Sequence, residues 1–148
     1  FKNEAFPVII LRLFLVYGPG QNQQRFLPQI ISACLAEKTF PTSKGEQIRD
    51  FCYVEDIVNG IFVALELKNI YGEVFNLASG LPVSIRSMIE RVVDLVGTGK
   101  PEHGKIKYRM GENMALHADI QKSTNQLYWE PTTNLEDGIN KTIEYYRD

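Results

Sequence analysis

Gly45-Glu46-Gln47-Ile48-Arg49-Asp50-Phe51-Cys52-Tyr53-Val54-Glu55-Asp56-Ile57 decides how this chain is read. A short apolar strand pattern carries an Arg-Asp pair and runs straight into an amphipathic helix. A guanidinium is a permanently charged fork of five donors that suits a phosphate. Side chains alternate along a strand, so Phe51 and Tyr53 share the side of Arg49. A phosphate clamp beside aromatic surface points to a nucleotide-type ligand. The plainer reading is a strand-to-helix corner with an exposed ion pair, and one such pair is weak evidence for either.

Working outward, Pro7 to Tyr17 is a near-continuous apolar run rich in β-branched residues. Its length and composition predict a strand buried on both faces, as in a parallel sheet. Gly18-Pro19-Gly20 stops it. Phe26 to Lys38 has helical spacing, with Phe26, Leu27, Ile30, Ile31, Cys34 and Leu35 on one face. Thr39-Phe40-Pro41 is a short extended piece, and Gln47 to Tyr53 is the second strand. Glu55 to Leu67 predicts a helix with Ile57, Ile61, Ala64 and Leu65 inward. Glu73 to Ala78 is a short buried strand and Ser79 to Pro82 a turn. Ser84 caps a helix that ends at Gly97. Residues 97–104 read as loop, Lys105 to Met110 as strand and Asp119 to Tyr128 as a short helix. Asn134, with Asp137 three residues on, caps a last helix that buries Leu135, Ile139 and Ile143. Alternating strands and helices predict an α/β fold.

Composition narrows the function. The 148 residues suffice for one domain core, and 44% hydrophobic with 23% charged residues is ordinary globular usage. Net charge is −2 with no basic stripe, which argues against nucleic acid as partner. No apolar run reaches membrane-spanning length. Cys34, Cys52, His103 and His117 lack metal-ligand spacing, so no metal site is expected. Two apolar-environment cysteines fit a reducing cytoplasm. The chain opens on Phe1 and enters a strand by Pro7, which reads as a piece of a longer chain.

Other motifs are weaker. Gly18-Pro19-Gly20 follows a strand, but Gln23 stands where a dinucleotide loop needs glycine, and Pro19 has no N–H to offer. Gly97-Thr98-Gly99-Lys100 closes a helix and does not open one, so it is no phosphate loop. Arg109-Met110-Gly111-Glu112 reads alone as a surface turn; with Arg49 it offers two cations that could pinch one diphosphate. Glu55-Asp56 suits a helix first turn better than an acid pair.

Taken in order, seven motifs carry a resemblance. They are Leu11 to Gln21, Arg25-Phe26-Leu27-Pro28, Arg49 to Asp56, Phe75 to Gly80, Arg109 to Glu112, Ala118-Asp119-Ile120, and Trp129-Glu130-Pro131 with Leu135 to Gly138. The series resembles the C-terminal half of an extended short-chain dehydrogenase/reductase, of the NAD-dependent sugar-nucleotide epimerase/dehydratase type.

The resemblance implies late strands and a helix of a Rossmann-type parallel sheet, residues 1–20 and 54–78, plus a small α/β substrate-binding lobe, residues 21–53 and 79–148. It implies that Leu13 and Phe14 lie near the nicotinamide of NAD or NADP. It places Leu15, Arg25, Phe26, Phe40, Thr42, Arg49 and Arg109 against a nucleotide-sugar substrate, the last two clamping the diphosphate. Leu15 stands where relatives commonly carry Asn. The family's Gly-x-x-Gly-x-x-Gly loop and Tyr-x-x-x-Lys pair do not occur in these residues, so no catalytic residue is assigned here. The implied whole enzyme is a cytoplasmic homodimer that epimerises, dehydrates or reduces its substrate, and this segment alone is inactive. A non-catalytic nucleotide-binding sensor or scaffold of the same fold is the rival, and an α/β domain without ligand a second.

Overall fold

The computed structural model describes residues 6–147. The apolar run after Pro7 forms β1 (Ile10–Leu13) and β2 (Leu15–Tyr17), separated at Phe14. Then come α1 (Phe26–Leu35), β3 (Thr39–Pro41), β4 (Ile48–Tyr53), α2 (Val54–Glu66), β5 (Val74–Leu77), β6 (Pro82–Ser84) and α3 (Ile85–Val96). β7 (Lys100–Glu102), β8 (Ala115–Leu116), a π-helix (Ser123–Leu127) and α4 (Leu135–Arg147) complete the order.

β1 and β5 pair in parallel, Ile10 opposite Val74. β2 pairs in parallel with β4, Leu15 opposite Phe51. β4 also takes β6 antiparallel and β8 in parallel, and β3 pairs with β7. One apolar run therefore serves two sheets. The chain changes partner at Phe14, whose N–H still donates to Leu77 O (3.1 Å).

β4 is the wall between two cores, because its side chains alternate. Phe51 and Tyr53 enter a core built with α1, α3 and α4, around Ile31, Met88, Ile89, Val92 and Ile139. Cys52 enters a second core with Ile57, Ala64, Phe75, Leu77 and Trp129. Helix ends follow local chemistry. Ser84 Oγ accepts from Ser87 N (3.0 Å), and Asn134 Oδ1 accepts from Asp137 N (2.9 Å). Gly97, left-handed at φ 83°, donates its N–H to Val93 O.

Several expectations are corrected. The Pro7–Tyr17 run is two short strands, and it is not buried on both faces: Ile10 is 50% and Leu13 47% exposed. Among the described residues β1 pairs with β5 alone, which leaves the backbone groups of its other edge without a ladder partner. Leu65 points outward at 73% exposure, because it shares a stripe with Val58 and Phe62 while Ile57, Gly60 and Ala64 face inward. Residues 105–110 form no strand; Ile106 N→Thr42 O is a single bond, not a ladder. The ladder forms earlier, at β7, within the segment read as loop. The helix expected over Asp119–Tyr128 is π-wound at Ser123–Leu127, where Ser123 Oγ donates to Asn76 O (2.6 Å).

α4 lies directly on Tyr17. A Cβ at Gly138 would collide with Tyr17 Oη and sit 2.9 Å from its Cζ and 3.1 Å from Tyr53 Cδ2. Alanine gains about 1 kcal/mol of helix propensity, but overpacking a filled core costs about 1–3 kcal/mol. We expect Gly138→Ala to lower the urea midpoint with an unchanged slope; an equal or higher midpoint would mean that α4 lifts off freely.

The two cysteines are free and buried. Burial pushes the Cys34 thiol up to about 11, and burial with the nearby Asp56 and Asp50 carboxylates pushes Cys52 up to about 12. An acid held protonated by the fold stabilises fully below its ordinary value of 9.0 and loses that contribution as pH rises through the folded value. Melts between about pH 8 and 11 should therefore fall more steeply for the natural chain than for Cys34→Ala/Cys52→Ala. Parallel curves would assign the alkaline loss to other groups.

Candidate functional site

β4 directs Arg49 and Asp50 to opposite sides, and they do not pair. Asp50 is fully buried and accepts from Ser79 N (2.7 Å), Ser79 Oγ (2.7 Å), Gly80 N (3.0 Å) and Ala118 N (3.4 Å). Four donors on one carboxylate fix the turn after β5 and the chain after β8. The Arg-Asp dipeptide thus divides its labour: one residue ties the fold and the other faces a cavity.

That cavity has a volume of about 690 Å³. Arg49 and Phe51 line it from β4, and Gln47 from the residue just before it, two residues apart as an extended chain requires. Phe14, Leu15 and Tyr17 line it from the first strands, Arg25 and Phe26 from the entry to α1, and Thr42 from the segment after β3. Lys107, Tyr108, Arg109 and Glu112 close it from the connection between β7 and β8. The apolar wall is ordered by aromatic contacts: Phe26 and Phe51 rings are 6.0 Å apart, and Tyr17 meets Phe51 edge-on at 6.4 Å.

Four cations and one carboxylate set the charge of this cavity. Arg49 Nη1 donates to Ile48 O (2.8 Å), and Nη2 pairs with Glu112 Oε1. Both side chains of this pair are largely covered, at 12% and 21% exposure. Arg25, Lys107 and Arg109 are exposed, and none meets a carboxylate within ion-pair distance among the described residues. The cavity thus carries an excess of positive charge beside an aromatic wall.

Second contacts hold its rim. Thr42 Oγ1 lies within hydrogen-bond distance of Ser43 O (2.9 Å) and of His103 Nδ1 (2.9 Å). Tyr108 Oη donates to Glu46 Oε2 (3.0 Å) and accepts from Glu46 N (3.2 Å). Desolvation raises the Tyr108 phenol pKa; the Glu46 N–H works against that shift, and the Glu46 carboxylate adds to it. Tyr17 is raised as well, by burial first and then by Cys52 and Asp56, so it stays protonated and is no base. Gln47 Oε1 is buried without a protein partner.

Seven of the nine residues singled out in the sequence meet in this one cavity: Phe14, Leu15, Arg25, Phe26, Thr42, Arg49 and Arg109. Two do not. Leu13 is exposed on β1, and Phe40 packs against the core of α1 and α3. Glu112 joins the site without having been singled out; its only signal in the sequence is a carboxylate three residues after Arg109. Gln47 and Tyr108 carry no signal beyond strand alternation. The Gly18-Pro19-Gly20 turn makes no cradle: a Cβ at Gly18 would lie 2.5 Å from Val54 Cγ1, so that glycine serves packing. Among the described residues no group of three or more His, Cys, Asp or Glu gathers. No helix among them is long and apolar enough to cross a membrane.

Comparison with known proteins agrees with this architecture. A UDP-glucose epimerase of Bacillus subtilis (YtcB, itself uncharacterized) is 33% identical over 97% of this chain and 46% of its own length. The dTDP-glucose 4,6-dehydratase of Haemophilus influenzae is 29% identical over 98% of this chain and 46% of its own. The crystal structure of Bacillus cereus UDP-glucuronic acid 4-epimerase, in complex with UDP-glucuronic acid and NAD, superposes with a TM-score of 0.88 at 34% identity. It matches 99% of this chain and 47% of that one, so the α/β fold here corresponds to part of a Rossmann-type fold. The chain spans about half the length of these relatives. Residues 2–78 match the NAD dependent epimerase/dehydratase family model, and the chain belongs to that family.

Proposed function

We propose that this chain is the substrate-binding half of an NAD(P)-dependent enzyme that epimerises, dehydrates or reduces a nucleotide-activated sugar. One observation carries the reading: Arg49 and Arg109 line the same aromatic-walled cavity from two different segments. A diphosphate between them would meet two forks, with Arg25 and Lys107 adding charge at the rim. Phe26 and Phe51 give the wall that a base or sugar face packs on. Family membership and a solved relative holding UDP-glucuronic acid and NAD support the same ligand class.

Residues 1–20 and 54–78 belong, on this reading, to the cofactor domain, and 21–53 with 79–148 to the substrate lobe. The cofactor, when bound, accepts and returns a hydride. Phe14 and the exposed Leu13 offer an apolar edge at the end of β1 that fits a nicotinamide ring. This sequence has no glycine-rich loop for the cofactor's phosphates and no Tyr-x-x-x-Lys pair, so those parts come from elsewhere in the whole enzyme. The chain's own residues bind, orient and exclude water. Leu15, at the cavity wall, donates no hydrogen bond from its side chain and favours a deoxysugar dehydratase or reductase branch over hexose epimerisation. Two free, buried thiols fit a cytoplasmic enzyme, and a homodimer is the assembly we assign to it.

Arg49 is the main test. A buried charge-assisted contact contributes about 1.5–3 kcal/mol. In the full-length protein Arg49→Ala should weaken nucleoside diphosphate binding by about one to two orders of magnitude. Arg49→Lys should recover only part, since a point charge cannot make a two-pronged contact. NAD affinity should stay within about twofold. Equal loss for both ligands would signal a folding defect, and no loss for either would leave Arg49 a structural corner.

A second measurement concerns the chain by itself. Pure Phe1–Asp148 should show no epimerase, dehydratase or reductase turnover with UDP- or dTDP-glucose and NAD. Turnover by this chain, free of longer protein, would place catalytic groups within it and overturn the division of labour.

A further inference from the structure

We propose that Tyr146, near the end of α4, is a positioning residue that sets the loop carrying Arg25 to the cavity. This rests on the nucleotide-sugar reading of that cavity. Residues 18–25 join β2 to α1 and bring Gln21, Gln24 and Arg25 to the rim. Inside the loop the bonds are local. Gln24 N donates to Asn22 Oδ1 (2.8 Å) and Arg25 N to Asn22 O (2.9 Å), so residues 22–25 form one tight turn. Gln21 Nε2 reaches back to Val16 O (2.8 Å). Among the described residues, one hydrogen bond reaches this loop from a segment remote in sequence. Tyr146 Oη donates to Gln21 O (2.5 Å) across 125 positions. Tyr146 itself lies outside the cavity lining.

α4 is seated independently of that bond. Gly138 lies on Tyr17, Ile139 and Ile143 are buried in the core, and Thr142 Oγ1 donates to Gly138 O (2.7 Å). The Tyr146 ring meets Tyr145 edge-on at 5.2 Å and packs on the same core. Burial first, and then Tyr145, raise the Tyr146 pKa, so the phenol keeps its proton and donates. The helix thus holds a fixed donor against a loop with little packing of its own: Asn22, Gln23, Gln24 and Arg25 are exposed. Without the hydroxyl the loop would sample other positions. A ligand would then bind only the fraction of molecules whose loop faces it, and its apparent affinity would fall by that fraction.

The test uses full-length protein, with UDP and dTDP as probes and NAD as the fold control. Tyr146→Phe removes one oxygen and keeps the ring. It should weaken the preferred nucleoside diphosphate about three- to fivefold, the size of one neutral hydrogen bond, and leave NAD unchanged. Tyr145→Phe, one residue away, should leave both unchanged. In an Arg25→Ala background, Tyr146→Phe should lose most of its effect, since the two act through one loop. ¹⁵N relaxation of the amides of residues 22–25 supplies a ligand-free readout: ordered in the natural protein and in Tyr145→Phe, mobile in Tyr146→Phe, with the α4 amides unaltered. Unchanged loop order, or a mobile loop with unchanged diphosphate affinity, would overturn the proposal. Equal loss for NAD, or full additivity with Arg25→Ala, would make the hydroxyl a general structural contact and also overturn it. No loss with Arg49→Ala would sink the nucleotide-sugar reading itself. Loss with Arg49→Ala but none with Tyr146→Phe would sink only the positioning role.

Discussion

The Asp50 carboxylate, buried in the middle of β4, takes hydrogen bonds from Ser79 N, Ser79 Oγ, Gly80 N and Ala118 N. Each donor lies on a segment remote in sequence, so one side chain joins β4 to the turn that follows β5 and to the chain that follows β8. A buried carboxylate without such donors would be strongly disfavoured. With them, it fixes the rotation of β4 about its own axis. Alternation does the rest: if Asp50 faces inward, Ile48 and Cys52 share its side, and Gln47, Arg49 and Phe51 face the cavity.

The same economy appears at the start of α2. Asp56 accepts from Thr132 N (3.0 Å), Thr132 Oγ1 (3.0 Å) and Thr133 N (3.2 Å), while Trp129 Nε1 donates to Asp56 O (3.2 Å). The Glu55-Asp56 pair is likewise divided: Glu55 is exposed, and Asp56 ties down the approach to α4. α4 in turn covers Tyr17 and Tyr53, whose rings meet at 5.7 Å behind the cavity wall. Two buried carboxylates therefore place the two ends of the wall, and neither draws on the cations of the cavity, which stay available to a ligand.

Much of the fold was legible because it is local. Helical periodicity marked α1, α2, α3 and α4, and the Ser84 and Asn134 caps lie where their side chains predict. What escaped is short or long-range. β6, β7 and β8 have three, three and two residues, too few for alternation to register. Lys105 to Met110 has strand-like composition but finds no ladder partner, and the break at Phe14 follows from two competing strands, β5 and β4, which the run itself does not reveal. Seven site residues converge because the motifs were read together. The Arg49–Glu112 contact spans 63 positions and was invisible to any local pattern. Leu13 and Phe40 stand apart, Leu13 because it lies one residue before the break and Phe40 because it alternates toward the core.

Everything proposed for the cavity turns on Arg49 and Arg109 sharing one ligand. A crystal structure of the full-length protein with NAD and a nucleoside diphosphate tests that directly. Both phosphates should lie within hydrogen-bond reach of the two guanidinium groups, with a ring of the ligand against the Phe26–Phe51 wall. A nucleotide seated elsewhere, with Arg109 still in solvent and Arg49 engaged by Glu112 alone, would contradict it.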